Sequence, residues 1–297
     1  MPAKIIYGKE ISAQIRVELK ERVDRLKARG VTPGLGVVLV GEDPASISYV
    51  TAKAKGAGEI GMFEETIRLP PTSTEEEVLW TVDRLNRDPK FNGVLVQLPL
   101  PKWVNPDKVI SFISVEKDVD GFHPINVGKL LRGEPCAIPC TPYGVVQLLT
   151  RSGYSPEGKH VVICGRSNLV GKPLAALLVQ KKKGANATVT ICHTGTKDLP
   201  YFTKQADILV AAMGAPRVIT ADMIREGCVV IDVGVNRVLD PALPKGFRLV
   251  GDCDFDGMLA KAEAITPVPG GVGPMTVTML LLNTVEAAER KASPPPP

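Results

Sequence analysis

The chain has 297 residues, 44% of them hydrophobic and 23% charged, with a formal net charge of +4. That length suits about two domains with sizeable cores. So small a basic excess argues against a nucleic-acid partner and suits a small polyanionic ligand. No apolar run approaches the roughly 18 residues of a membrane span and the N-terminus lacks a signal-like apolar stretch, so no membrane partner and a cytoplasmic location are expected.

Residues 10–29 read as an amphipathic helix, with Ile11, Ile15, Leu19, Val23 and Leu26 at three- and four-residue steps and Gly30 to end it. "GVVLV" at 36–40 reads as a buried strand. A helix of about four turns follows within 43–61, with Asp43 as cap and Pro44 at its start. Next come a strand near 64–68, a helix near 74–86 opened by "TSTEEE", and a strand at 93–98. A proline-rich break leads to a short helix. "PCTPYGVVQLL" starts another, with Thr141 as cap and Pro142 at the first position. Strands near 160–164, 188–192, 207–211 and 228–232 then alternate with helices, and a last helix covers about 274–291. Continuous apolar strands between helices predict an α/β fold with parallel sheets covered on both faces, and a boundary inside 136–150.

Six cysteines are spread along the chain, and only Cys136 and Cys140 are close, at C-x3-C. No second pair has ligand spacing, so no metal site is expected and the thiols read as reduced.

In "VVICGRSNLVGKP" a strand meets Gly165 and a helix opens near Gly171. Such a turn can put helix N-terminal amides on a phosphate, although the full G-x-G-x-x-G fingerprint is missing. The turn alone fits an ordinary α/β loop equally well. The next strand carries a sharper signal, because NAD-selective sites end it with an acid that holds the ribose hydroxyls. Here it ends in His193 and Thr194, and residues 158–197 contain no Asp or Glu. Arg166 would welcome a 2′-phosphate, with His193 or Thr194 as hydrogen-bond partners. NADP is therefore expected rather than NAD.

Ser46, Tyr49 and Lys53 fall on one face of the 43–61 helix, and Lys55 points elsewhere. A lysine half-buried beside a phenol can lose its proton near neutrality and act as acid or base. Spacing alone favours an ordinary exposed pair. Gln97, at the carboxyl end of a strand, points toward the crevice where α/β sheets take ligands. "EKDVDGFHPIN" groups Asp118, Asp120 and His123 around a glycine, which an Asp-Gly turn and a loop histidine also explain. "ITPVPGGVGPMT" puts Gly270, Gly271 and Gly273 before a helix, either a glycine-lined loop facing a ligand or a multiple turn.

"YVTAKAK", "VLVQLPLP", "KDVDGFHPIN", "PCTP", "GRSNLVGKP" and "TPVPGGVGPMT" stand in order and spacing. Together they resemble the bifunctional methylenetetrahydrofolate dehydrogenase/methenyltetrahydrofolate cyclohydrolase family, from the first helix to about residue 290. The resemblance implies a folate-binding catalytic domain at 1–145 and a Rossmann NADP-binding domain at 146–273. It also implies that a terminal helix at about 274–292 returns to the first domain, a cleft between the two, and a homodimer. Residues 293–297 are expected to be a flexible tail.

By motif position, the resemblance implies catalytic roles for Lys53, Tyr49, Gln97 and Asp120. Val96, Leu98, Pro269, Gly270 and Gly271 would join them around the tetrahydrofolate substrate, with Asp120 on the pterin. Gly165, Arg166 and Ser167 would hold the cofactor, with His193, Thr194 and the Val235 backbone. Thr194 stands where the family often has serine, and Cys253 where valine is usual; neither touches the implied chemistry. The alternatives are a monofunctional dehydrogenase, a silent ligand-binding protein on the same fold, and a shikimate-type NADP dehydrogenase. The last would leave "PGGVGPMT" unexplained.

Overall fold

A computed structural model describes residues 2–243 and 246–292; the tail expected at 293–297 lies outside the described residues. The chain opens with a two-residue strand β1 (Lys4–Ile5) and the helix α1 (Gly8–Ala28). It then forms two compact units. One runs from Ala13 to Cys140 and takes in the chain from Val277 onward; the other combines the segment through Ser12 with Thr141–Thr276. This division differs from domains at 1–145 and 146–273 in where the N-terminus goes and by a few residues at the junctions, which fall at Cys140/Thr141 and Thr276/Val277. β1 pairs in parallel with β11 (Ala264–Ile265), which draws the first residues into the second unit.

The first unit has a three-stranded parallel sheet in the order β3-β2-β4, where β2 is Gly34–Val40, β3 Phe63–Leu69 and β4 Gly93–Val96. β2 is buried along its whole length, as its unbroken apolar run predicts for a central parallel strand. α2 (Pro44–Glu59) follows β2. α3 (Glu75–Arg87) begins with a reciprocal cap, in which Thr74 Oγ1 accepts from Glu77 N and the Glu77 carboxylate accepts from Thr74 N. α3 sets Val78, Val82 and Leu85 against Val38, Val94 and Phe91. Two short helices follow, α4 (Pro106–Phe112) and α5 (Pro124–Arg132), and then α6 (Cys140–Arg151). Thr141, expected as the cap of α6, lies one residue inside it, and its hydroxyl pairs with that of Thr276 at 3.0 Å.

The second unit holds β5 (His160–Cys164), α7 (Gly171–Leu178), β6 (Thr188–Cys192), α8 (Leu199–Thr203), β7 (Ile208–Ala211) and β8 (Val229–Asp232). The chain continues through the antiparallel hairpin β9 (Asn236–Leu239) and β10 (Phe247–Val250), then α9 (Phe255–Met258), β11 and α10 (Val272–Ala292). Six parallel strands run in the order β1-β11-β8-β7-β5-β6. The chain leaves β5 for β6 on one side and then crosses to β7 on the other. This reversal is the topological switch point at which doubly wound sheets open a ligand crevice.

Candidate active site

Asp43 caps α2 by accepting from Ser46 N at 2.7 Å, and Pro44 occupies the first turn. The helix then sets Ser46, Tyr49 and Lys53 on one face. Tyr49 stays 43% exposed, whereas Lys53 is only 7% exposed. Lys55, two residues on, is turned to solvent near Glu59. Lys53 Nζ donates to Gln97 Oε1 at 2.9 Å. The backbone N–H of Gln97, just past β4, donates to Val38 O at 2.8 Å. Its side-chain amide donates to Leu98 O at 2.7 Å, which leaves the amide oxygen facing the lysine. Val96 is buried at the end of β4, and Leu98 is half-buried beyond Gln97.

Asp120 is half-buried and faces this amine electrostatically. Burial pushes the Lys53 amine below its ordinary value, against the opposing pull of Asp120 and Cys140. Burial likewise pushes the Asp120 carboxyl up, against the Lys53 charge. Desolvation thus brings an acid and a base whose ordinary values lie far apart toward each other. Shifts in these directions ease proton movement at the site.

Three residues hold Asp120 in place. Asp118 accepts from Gly121 N at 3.0 Å, Phe122 N at 3.3 Å, His123 N at 2.9 Å and Asn126 Nδ2 at 2.9 Å. The buried Cys140 thiol donates to Val119 O and Asp120 Oδ1, both at 3.5 Å, and burial raises it well above its usual value. From α10, Asn283 donates to Val119 O at 2.7 Å and to Ile138 O at 2.8 Å. Asp118 was visible in the sequence beside Asp120, but its neighbours also fitted a simple Asp-Gly turn. Asn283 had no local signal, because it reaches this loop across 164 residues. His123, which a loop position also explained, is the cap of α5: its Nδ1 accepts from Ile125 N at 3.1 Å.

In the other unit, a cavity of about 310 Å³ opens at the carboxyl ends of β5, β6 and β7. Its lining includes Gly165, Arg166, Ser167, His193 and Thr194, which the sequence singled out together, and no Asp or Glu. The turn from β5 is too tight for side chains: a Cβ on Gly165 would stand 2.2 Å from Ala212 O, and one on Gly171 2.0 Å from Gly165 O. Gly165 also holds φ at 139°, which only glycine adopts readily. The exposed Arg166 guanidinium makes no hydrogen bond or ion pair among the described residues. A basic rim without acids fits a dinucleotide bearing an extra phosphate. Met213 and Ala215 also line the wall, and no local sequence signal marks either.

Val235 lies outside that lining, in the loop after β8, and is 49% exposed. Pro269, Gly270 and Gly271 belong to this same unit, whereas Tyr49, Lys53, Val96, Gln97, Leu98 and Asp120 belong to the other. The glycine loop is tied to the start of α1: Gly270 O accepts from Lys9 N at 3.1 Å, and a Cβ on Gly8 would stand 1.9 Å from Gly271 O. Among the described residues no group of three or more His, Cys, Asp or Glu side chains could hold a metal, and no helix is long and apolar enough to cross a membrane.

A parallel sheet with its crevice at the switch point, joined in one chain to a second α/β unit with a buried lysine, defines the class of two-domain α/β proteins with a Rossmann-like nucleotide-binding domain. Residues 6–120 match the model of the tetrahydrofolate dehydrogenase/cyclohydrolase catalytic domain, and residues 139–292 match that family's NAD(P)-binding domain. The chain belongs to the tetrahydrofolate dehydrogenase/cyclohydrolase family. It is 58% identical to the bifunctional protein FolD of Dehalococcoides mccartyi over 98% of this chain and 99% of the relative. It is 55% identical to that of Moorella thermoacetica, over 98% and 100%. Among solved structures, it is similar to the Trypanosoma brucei methylenetetrahydrofolate dehydrogenase-cyclohydrolase complexed with NADP cofactor and inhibitor. That match has 39% identity, a TM-score of 0.93 and coverage of 99% and 100%. The FolD enzyme of Campylobacter jejuni is 46% identical with a TM-score of 0.91, over 97% of this chain and 99% of that one.

Proposed function

We propose that the chain oxidises 5,10-methylenetetrahydrofolate to 5,10-methenyltetrahydrofolate with NADP+, then hydrolyses the product to 10-formyltetrahydrofolate. The observation that carries this reading is the buried Lys53, held by Gln97 and facing Asp120, in a member of this family. NADP+, when bound, supplies the hydride acceptor. The folate nitrogens support the resulting cation, so the first step requires of the protein only alignment.

Water addition requires proton movement. Lys53, deprotonated more readily than an exposed lysine, takes a proton from the water that attacks the methenyl carbon. The bond from that carbon to N5 then breaks. One water proton ends on N5 and the other is released to solvent. Gln97 keeps the amine aimed, and Tyr49, on the same helix face, would pack and hydrogen-bond beside it. Asp120 accepts from the pterin amino and ring N–H groups, a two-pronged fit that favours its ionised form. Val96 and Leu98 would flank the substrate, and Pro269, Gly270 and Gly271 would offer it a side-chain-free backbone. Gly165 and Ser167 would meet the dinucleotide phosphates and Arg166 its 2′-phosphate, with His193 and Thr194 beside it and the Val235 backbone further along. A homodimer in the cytoplasm accompanies this reading on family membership alone.

The test supplies methylenetetrahydrofolate with NADP+ or NAD+ and follows the NADPH and methenyl absorbance bands. Nucleotide reduction followed by methenyl decay is expected with NADP+. A methenyl band that persists at its spontaneous rate would make the chain a monofunctional dehydrogenase. Equal use of NAD+ would overturn the role given to Arg166.

A further inference from the structure

Two carboxylates of the second unit have no part in the chemistry above, yet both are buried: Asp232 at 3% exposure and Asp252 at 0%. Among the described residues neither has a cation as a hydrogen-bond partner. Asp252 Oδ2 accepts from Met213 N at 2.5 Å and Gly214 N at 3.0 Å. Its Oδ1 accepts from Ala215 N at 3.0 Å and Asn236 Nδ2 at 2.9 Å. Asp232 accepts from Gly234 N, Asp252 N and Cys253 N at 2.8–3.0 Å. Two glycines clear the space for these carboxylates. A Cβ on Gly234 would stand 2.1 Å from Asp252 Oδ1, and one on Gly251 1.9 Å from Asp232 Oδ2.

Two of the groups so bound belong to the wall of the nucleotide cavity. Met213 and Ala215 line it. Val235 lies between Gly234, held by Asp232, and Asn236, held by Asp252. A buried carboxylate without a cation is costly unless its lone pairs are filled. Four donors from two separate segments meet that condition here, and the same bonds set the shape of the wall.

We propose that Asp252, seconded by Asp232, is a positioning residue of the nucleotide site: its carboxylate locks the 213–215 turn and the Val235–Asn236 segment into the conformation that receives the dinucleotide. This inference rests on the nucleotide reading above. Asparagine at 252 keeps one acceptor oxygen and aims an NH2 group at two donors, so two of the four bonds are lost whichever way the amide turns.

The test uses the full chain with Asp252→Asn and the milder Asn236→Ala, both checked by circular dichroism and thermal unfolding. NADP+ affinity is measured by calorimetric titration. Hydrolysis of supplied methenyltetrahydrofolate, which consumes no nucleotide, is measured alongside. The expected result for D252N is a loss of NADP+ affinity of about tenfold or more, the scale of leaving two buried donors unpaired. N236A, which removes the bond to Asp252 and a longer one to Val250 O at 3.4 Å, should lose affinity by about two- to fivefold, the scale of the one bond to Asp252. Methenyl hydrolysis should stay within about twofold in both, because its proton chemistry lies in the other unit. A general structural defect would instead lower both activities together. Should D252N fail to fold, N236A decides. Unchanged NADP+ affinity in a folded variant, or parallel loss of hydrolysis, overturns the proposal. Wild-type chain that binds no NADP+ overturns the nucleotide reading beneath it.

Discussion

Replacing Lys53 with methionine removes the amine and little else. Methionine fills nearly the same volume; the bond to Gln97 Oε1 at 2.9 Å is lost, and so is the charge facing Asp120, whose carboxyl is then pushed further up and takes a proton more readily. The lost bond costs about 1 kcal/mol of stability, offset in part because a desolvated amine is no longer buried. The fold should therefore survive within about 1 kcal/mol. Removal of a positioned acid–base group slows a step by about 10²- to 10⁴-fold, or about 3–5 kcal/mol of barrier. Hydrolysis of methenyltetrahydrofolate should fall by that factor, down to its buffer-catalysed background. Hydride transfer needs no protein base and should fall less than about tenfold, through alignment alone. In the wild type, hydrolysis should rise with pH as the amine loses its proton. The midpoint should lie below the ordinary lysine value, since burial lowers it. Stopped-flow methenyl decay against pH, with NADPH formation measured separately, reads both effects. Full hydrolysis in K53M, or a pH limb that persists there, would refute the role of the amine.

Asp120→Ala should weaken binding of a folate analogue by roughly 10- to 100-fold, the value of a charged two-pronged contact. It should also move the hydrolysis limb of Lys53 to lower pH, because the carboxylate that raises the amine is gone; unchanged affinity would reject its place on the pterin. Burial raises the Asp232 carboxyl from 3.8 to about 6, so the folded state holds this proton more tightly than the unfolded state. The stability it contributes is full below pH about 4 and fades as pH rises through about 6, a loss of about 3 kcal/mol. The advantage of wild type over Asp232→Asn in urea unfolding should shrink by that amount across this window, and a constant difference would refute it.

The sequence carried most of the frame because the frame is local. Asp43-Pro44 announces α2, "TSTEEE" announces α3, and the valine runs announce β2 and β5, each within a few residues of the element itself. β1 and β11 have two residues each and find one another across 260 positions, so no periodicity could reveal them. α5 did have a signature, Pro124 at its start and Gly133 at φ 73° past its end, but its nine residues were hidden behind the Asp-Gly turn. At the site, spacing placed Tyr49 and Lys53 on one face. It could not say that the tyrosine stays open while the lysine is sealed, because burial depends on how the rest of the unit packs over α2. The same limit hid Asn283, Met213 and Ala215, whose parts are defined by what they meet in space.

Asp118, Asp232 and Asp252 show one physical solution used three times. Each carboxylate is buried, and each is satisfied by backbone N–H groups, with an asparagine amide added at Asp118 and Asp252, rather than by lysine or arginine. The choice matters most at Asp118, two residues before Asp120. A guanidinium there would satisfy the carboxylate equally well, but it would bring a positive charge to Asp120, which already feels the Asp118 charge and faces Lys53. A second cation beside a buried amine disfavours the charged form further and draws Asp120 toward a fixed ion pair. Either change would disturb the proton balance that Lys53 and Asp120 keep between them. Neutral donors hold the loop without adding a cation to that balance.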